Sequence, residues 1–401
     1  MNILLISSIY PEPREYRIQE DTLVVHYFAK YLVEKGHRVI VLHPSYNRIG
    51  NIKHFLRPSS FRIKHNKRDG VDVICGELQL LVPHELKPME WRSRFLAKRM
   101  KKFLKRKFPS FTPNVLAVHF PVVLDSFVSV FDNVPLLAVC HGTDIRIIQK
   151  LKQNSRKKIV TKLNRTYKKL AYRSPKLQIT SKALGLDDCK SEILITGINR
   201  NLLAEKQAIV TKANSITYKK VLNIIFAGKL VKQKRIDAII KALALLKDSV
   251  DYKFNIIGNG PILDELKDLS DKCGISDKVI FHGKKTREEV SAYMSEADVF
   301  VMVSTNETLG LVYLEAMAQG CITIGSKSEG IDGVIINEKN GYLVDPYNTK
   351  ELSDVLKKVY NLPIDEKSKI INTAYNDMLS MTDIAMSNKY LQSLNQIMKN
   401  E

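Results

Sequence analysis

The sequence predicts an α/β chain of two doubly wound domains, and three observations carry that prediction. Short apolar runs of strand length alternate along the chain with amphipathic stretches of helix length. The alternation begins afresh near residue 220, after the polar stretch Lys212–Lys220. The charge divides at the same place: residues 1–212 hold 39 Lys and Arg against 17 Asp and Glu, whereas residues 213–401 hold 24 against 25. The whole excess of the +21 net charge therefore sits in the first half, as expected of two domains that face different partners.

The elements follow in order. Expected strands in the first half are 2–9, 38–43, 71–76, 115–120, 136–141 and 177–180; in the second they are 221–227, 253–257, 278–282, 299–304, 321–325 and 341–344. Segments such as 237–247 and 288–297 carry helical periodicity between them. Strands that alternate with helices imply parallel sheets covered on both faces, with ligands taken at the carboxyl ends of the strands. The apolar start Asn2-Ile3-Leu4-Leu5-Ile6 lacks the basic flank and small-residue cleavage site of a secretory leader, and is expected as a buried strand. A last helix is expected over 384–398, with Ile384, Leu391, Leu394 and Ile397 in helical spacing; the sequence leaves open which domain it joins.

Composition narrows the class. The chain has 401 residues, room for two domains of moderate size, and its 44% apolar and 26% charged residues suit a globular protein. No apolar run approaches the ~20 residues that cross a bilayer. Five scattered cysteines without Cys-x-x-Cys spacing argue against a disulfide framework or a zinc site, and point to a reducing compartment.

The segment Ser304–Gly320 carries most of the chemistry. A strand is expected to end at Ser304, a loop carries Glu307, and a helix starts near Gly310 and stops at Gly320. Free backbone N–H groups at a helix start make an anion site, and Gly310 lets a phosphate come close. Glu307 stands beside that site. Glu315 lies about one and a half turns into a helix otherwise almost apolar, where an unpaired carboxylate would be costly. A second strand end reads Ala227-Gly228-Lys229-Leu230-Val231-Lys232-Gln233-Lys234-Arg235, and its four cations suit a diphosphate. Gly258–Pro261 and Phe281-His282-Gly283-Lys284 are further strand-end turns of less specific composition. In the first half, Cys140-His141-Gly142-Thr143-Asp144 follows an expected buried strand.

In their order these pieces resemble family 4 of the retaining glycosyltransferases. The resemblance covers the second half through Gly228-Lys229-Leu230 with Lys234, Glu307-x7-Glu315 with its Gly310-Leu311-Val312 and Glu315-Ala316-Met317-Ala318-x-Gly320 frame, and Asn340–Pro346. In the first half it rests on Met1–Pro11, Gly36-His37-Arg38-Val39 and Cys140–Asp144. It implies the GT-B architecture, two Rossmann-like domains facing a central cleft. Residues 1–212 would form the acceptor and membrane side. Residues 213–401 would form the nucleotide-sugar-binding domain, with a terminal helix able to pack back on the first. The resemblance further implies that Glu307 holds donor-sugar hydroxyls, Glu315 the ribose hydroxyls, and Lys229 and Lys234 the donor phosphates together with the N–H groups at Leu309–Leu311. Gly283 and Lys284 would lie near the base, and His141, with Asp144 nearby, would reach the transferred sugar.

Two departures stand out. The family usually has Arg at Lys229 and Gly at Arg235, so the bidentate fork of a guanidinium is missing at the first position. The loop after the first strand, Tyr10–Arg17, lacks the usual glycine pair; Arg14 or Arg17 is a candidate substitute.

These readings predict a retaining hexosyltransferase-type enzyme that takes a nucleotide sugar, UDP- or GDP-linked, as donor. No Asp-x-Asp metal pair occurs in the sequence, so lysines and a helix start are expected to hold the phosphates with no metal and no other cofactor. The acceptor side is read from charge. Residues 90–108 interleave nine basic residues with Trp91, Phe95, Leu96, Met100, Phe103, Leu104 and Phe108, and Lys150–Lys176 adds a second basic stretch. A basic amphipathic helix of this kind suits an anionic membrane surface and a lipid-linked glycan acceptor, hence a cytoplasmic enzyme at the inner face of the cell membrane; the resemblance implies envelope polysaccharide synthesis as its setting. The competing readings are a non-catalytic partner of the same fold, motivated by the altered first loop, and a nucleotide-sugar epimerase of the same architecture. A nucleic-acid binder would leave the strand-end glutamates without a purpose, and none of its motifs is present.

Overall fold

The computed structural model describes residues 1–11, 24–48, 61–80, 90–131, 133–215 and 221–399. Arg14 and Arg17 of the first loop and residues 216–220 of the polar stretch lie outside them. The chain forms two compact units, the first from Met1–Arg173, Leu177–Leu194 and Met386–Glu401, the second from Ser174–Lys176 and Ile195–Ala385.

The first unit holds strands β1 (Asn2–Ile6), β2 (Arg38–Arg48), β3 (Phe61–Arg68), β4 (Val71–Leu80), β5 (Val115–His119), β6 (Leu136–Cys140), β7 (Lys169–Tyr172) and β8 (Ser191–Ile193). They lie in the order β3-β4-β2-β1-β5-β6-β7-β8. All neighbours are parallel except β3, which runs antiparallel to β4 across the two-residue turn Asp69-Gly70. Both turn residues have positive φ, as an Asp-Gly hairpin turn requires. Leu4 and Ile6 face one layer of the core and Ile3 and Leu5 the other. A parallel strand buried on both sides needs such an unbroken apolar run. Helix Glu90–Lys107 packs Leu96, Ala97, Met100 and Leu104 on the first face. Helices Val24–Glu34 and Asp383–Lys399 cover the second, the latter with Tyr390, Leu394 and Ile397.

The second unit holds β9 (Leu222–Ala227), β10 (Tyr252–Ile257), β11 (Val279–Gly283), β12 (Val299–Val301), β13 (Ile322–Ser326) and β14 (Tyr342–Val344). Its sheet, β11-β10-β9-β12-β13-β14, is parallel throughout. The order reverses between β9 and β12, which makes their carboxyl ends the topological switch point where doubly wound sheets take ligands. In the first unit the same point lies between β1 and β5.

Three differences from the sequence expectations have physical reasons. Leu177–Thr180, expected as a strand, lies inside helix Pro175–Ala183. Pro175 opens that helix, the position where a missing N–H costs nothing. The strand is instead β7, whose Lys169 merges with the basic stretch before it. The units divide after Leu194 rather than at residue 212. Helix Lys206–Ser215 belongs to the second unit because the Lys212 ammonium donates to the carbonyls of Met294 and Gln319 there, at 2.9 and 2.8 Å.

Candidate active site

The loops after β9 and β10 pack backbone against backbone. A Cβ on Gly258 would sit 1.8 Å from the Gly228 carbonyl oxygen, and one on Gly260 2.1 Å from that of Leu230. Gly228 N–H donates to the Ile257 carbonyl at 2.9 Å, and Gly258 N–H to that of Gly283 at 2.8 Å. The glycines at these strand ends thus allow three loops to stack, a role their turn-like composition did not disclose. Lys229 is exposed on the first of them. Arg235 takes the left-handed φ of 52° at the start of helix Ile236–Ala244, so the backbone that suits glycine is kept with a side chain present. Its guanidinium lies over the Tyr347 ring and 3.5 Å from Asp237.

Beyond β12 the loop of Glu307 is pinned from both sides. Thr305 N–H donates to the Gln233 carbonyl at 2.8 Å, joining it to the loop of Lys234. Glu307 N–H donates to the Glu329 carboxylate at 3.1 Å, and Gly330 N–H returns to the Glu307 carbonyl at 3.2 Å. Glu329 is held in turn by Lys176 at 2.7 Å. The Lys234 ammonium is paired with the Glu307 carboxylate, both side chains less than one-fifth exposed. Two residues placed 73 apart in the sequence therefore meet at the switch point.

Gly310 starts helix Leu311–Ala318 with φ of 79°. A Cβ there would lie 2.7 Å from the Tyr313 ring, whose hydroxyl donates to the Met302 carbonyl at 2.5 Å. The open helix start at Leu309–Leu311 is thus fixed against β12. Glu315 is paired with Arg287, a partner that no motif singles out, at the start of helix Arg287–Glu296. Gly283 and Lys284 precede that helix. Gly283 has φ of 67° and open space where a Cβ would stand.

His141 and Asp144 lie in the first unit, at the start of helix Gly142–Lys150. The Asp144 carboxylate accepts His141 N–H at 2.9 Å and Val122 N–H at 3.0 Å. Burial pushes its pKa up to about 7, against the pull of those donors. The His141 ring stacks on Phe120, centroids 3.8 Å apart, and its Nε2 lies 3.3 Å from His119 Nδ1. His119 is fully buried, its pKa lowered to about 3 by burial and then by Arg173. Burial, His119 and Arg173 hold His141 well below the ordinary histidine range. Sequence reading missed His119 and Phe120: His119 ends β5, next to β1 at the switch point, and Phe120 follows it, but no motif marks them.

Two doubly wound units with ligand loops at their switch points define the GT-B fold. A solved structure of HepE from Anabaena in complex with UDP superposes with a TM-score of 0.71, covering 99% of this chain and 100% of that one at 17% identity. Residues 210–377 match the family described as Glycosyl transferases group 1. The D-inositol 3-phosphate glycosyltransferase of Arthrobacter sp. (strain FB24) is 32% identical over 146 residues, 35% of each chain. The GDP-mannose-dependent alpha-(1-6)-phosphatidylinositol monomannoside mannosyltransferase of Mycobacterium tuberculosis is 31% identical over 144 residues, 34% of this chain and 37% of that one. The match thus spans about a third of the length of these curated relatives.

Proposed function

We propose that the chain is a retaining glycosyltransferase that moves a sugar from a UDP- or GDP-linked donor to a lipid-linked glycan, without a metal, in envelope polysaccharide assembly. The observation that carries this reading is the Lys234–Glu307 pair at the switch point, beside the helix start at Leu309–Leu311. A donor that brings both a diphosphate and sugar hydroxyls can divide the pair: the ammonium turns to phosphate, and the carboxylate accepts hydroxyls. Lys229 adds a second cation on the same loop. Arg287 and Glu315 offer the equivalent arrangement to a ribose. In the reaction the acceptor hydroxyl oxygen bonds to the anomeric carbon on the face from which the leaving diphosphate departs. The acceptor proton passes to a departing phosphate oxygen. Fixed cations stabilise the charge that grows on that leaving group. His141, with Asp144 holding its backbone, would meet the transferred sugar.

The relatives act on inositol phosphate and phosphatidylinositol mannoside by name, which favours an anionic or lipid-linked acceptor for this chain. The same reading puts the enzyme at the cytoplasmic face of an anionic membrane, with no role for nucleic acid.

A panel of UDP- and GDP-sugars tests this, scored for nucleotide release with and without a lipid-linked acceptor extract, and with EDTA. Release from one donor, raised by the extract and indifferent to EDTA, is expected. Glu307→Gln and Lys234→Ala should each lower kcat by roughly a hundredfold or more while the protein stays folded. Near-normal turnover in either variant would remove that residue from the chemistry, and no release from any donor would favour a non-catalytic partner.

A further inference from the structure

We propose that His119 and Tyr390 are positioning residues that set which ring nitrogen of His141 carries its proton. The proposal rests on the reading of His141 as a group that meets the transferred sugar. Tyr390 lies on helix Asp383–Lys399, fully buried, and its hydroxyl oxygen is 3.1 Å from His119 Nε2. His119 Nδ1 is in turn 3.3 Å from His141 Nε2. The three side chains form one chain of hydrogen bonds from the core to the start of helix Gly142–Lys150.

Every link is held from the side. Tyr390 stacks on Phe28, centroids 4.7 Å apart, and the Arg173 guanidinium lies 5.4 Å from that Phe28 ring. Arg173 is 2% exposed, and one of its amino groups donates to the Leu194 carbonyl at 2.8 Å. The Phe120 stack fixes the plane of the His141 ring.

The direction of the chain follows from charge. A buried guanidinium beside Tyr390 and His119 keeps both imidazoles neutral, so each ring has one N–H and one lone pair. The same positive charge draws the Tyr390 oxygen toward itself and turns the hydroxyl proton away, toward His119 Nε2. His119 then bears its proton on Nδ1 and donates to His141 Nε2. His141 is left with its proton on Nδ1, as a donor suited to a sugar oxygen. In a neutral imidazole the hydrogen bond at one nitrogen decides the chemistry of the other.

The test uses the full chain with 15N-labelled histidine. The signals of His141 are assigned from their loss in His141→Asn. The wild type should show a single Nδ1–H tautomer. Tyr390→Phe removes one hydroxyl and keeps the stack; it should shift the His141 nitrogens toward a mixture. Its kcat should then fall in proportion to the lost tautomer, about two- to tenfold, with KM little changed. His119→Asn places an amide where Nδ1 stood and should preserve the tautomer, whereas His119→Leu should lose it; this pair gives the same comparison should Tyr390→Phe not fold. A His141 tautomer unchanged in both Tyr390→Phe and His119→Leu would overturn the proposal. A tautomer that shifts while turnover stays constant would uphold it and remove His141 from the reaction instead.

Discussion

Asp144 and His119 both contact His141, the first at its backbone and the second at its ring, and respond to pH in opposite directions. The folded-state pKa of Asp144, about 7, exceeds the ordinary carboxylate value near 4, so the folded chain keeps a proton between them that the unfolded chain has lost. Asp144 therefore lowers stability as pH rises through that window, by up to about 1.4 kcal/mol per pH unit. His119, with its pKa of about 3, is the reverse case: below the usual value near 6.5 the unfolded chain takes a proton the folded chain refuses, and stability is lost as pH falls. Urea unfolding at several pH values separates the two. Asp144→Asn should gain relative to wild type as pH rises from about 4 to 7, and a constant difference would contradict a raised pKa. At this scale strand-end position and charge, which are local properties, single out Glu307, Lys234 and His141 as candidates. They do not single out Arg287, Glu329, His119 or Tyr390, whose importance arises from the side chain each one meets.

Helix Glu90–Lys107 shows how one pattern serves two readings. The stripe of Leu96, Met100 and Leu104 that made it amphipathic is buried in the first unit's core, with Phe103 half-buried beside it, so that stripe is not available to a lipid surface. What remains outside is Trp91, 64% exposed, and Phe95, 46% exposed, among Arg94, Lys98, Arg99, Lys102, Lys105, Arg106 and Lys107. Aromatic rings at one end of a basic face still suit an anionic membrane, through headgroup contact rather than deep insertion. Flotation with anionic vesicles should weaken about fivefold for each of Lys98, Lys102 and Lys105 replaced by Ala, and should weaken with salt. Equal binding to neutral vesicles would refute a membrane role for this face. The strand 177–180 was lost to a helix for a related reason: Leu177 and Ile179 suit either element, and Pro175 decided between them.

Across the whole chain, residues 386–399 return to the first unit after the second has been built. Leu394 is fully buried there, so Leu394→Ala should cost about 2–5 kcal/mol. Hydrogen exchange should place the lost protection mainly in β1 and helix Val24–Glu34, in the core that Leu394 shares. Loss of protection centred on β9 or β12 instead would contradict this division of the chain. The sequence by itself determined the two doubly wound sheets, most of their strands, and the loops that carry Glu307, Lys234 and His141. Periodicity, glycine at strand ends and charge are all written within a few consecutive residues. Only the tertiary structure decided that the first unit closes at Leu194, that helix Lys206–Ser215 joins the second, and that Tyr390 stands behind His119. Those outcomes depend on which buried surfaces meet across hundreds of residues, and a local pattern does not carry that information.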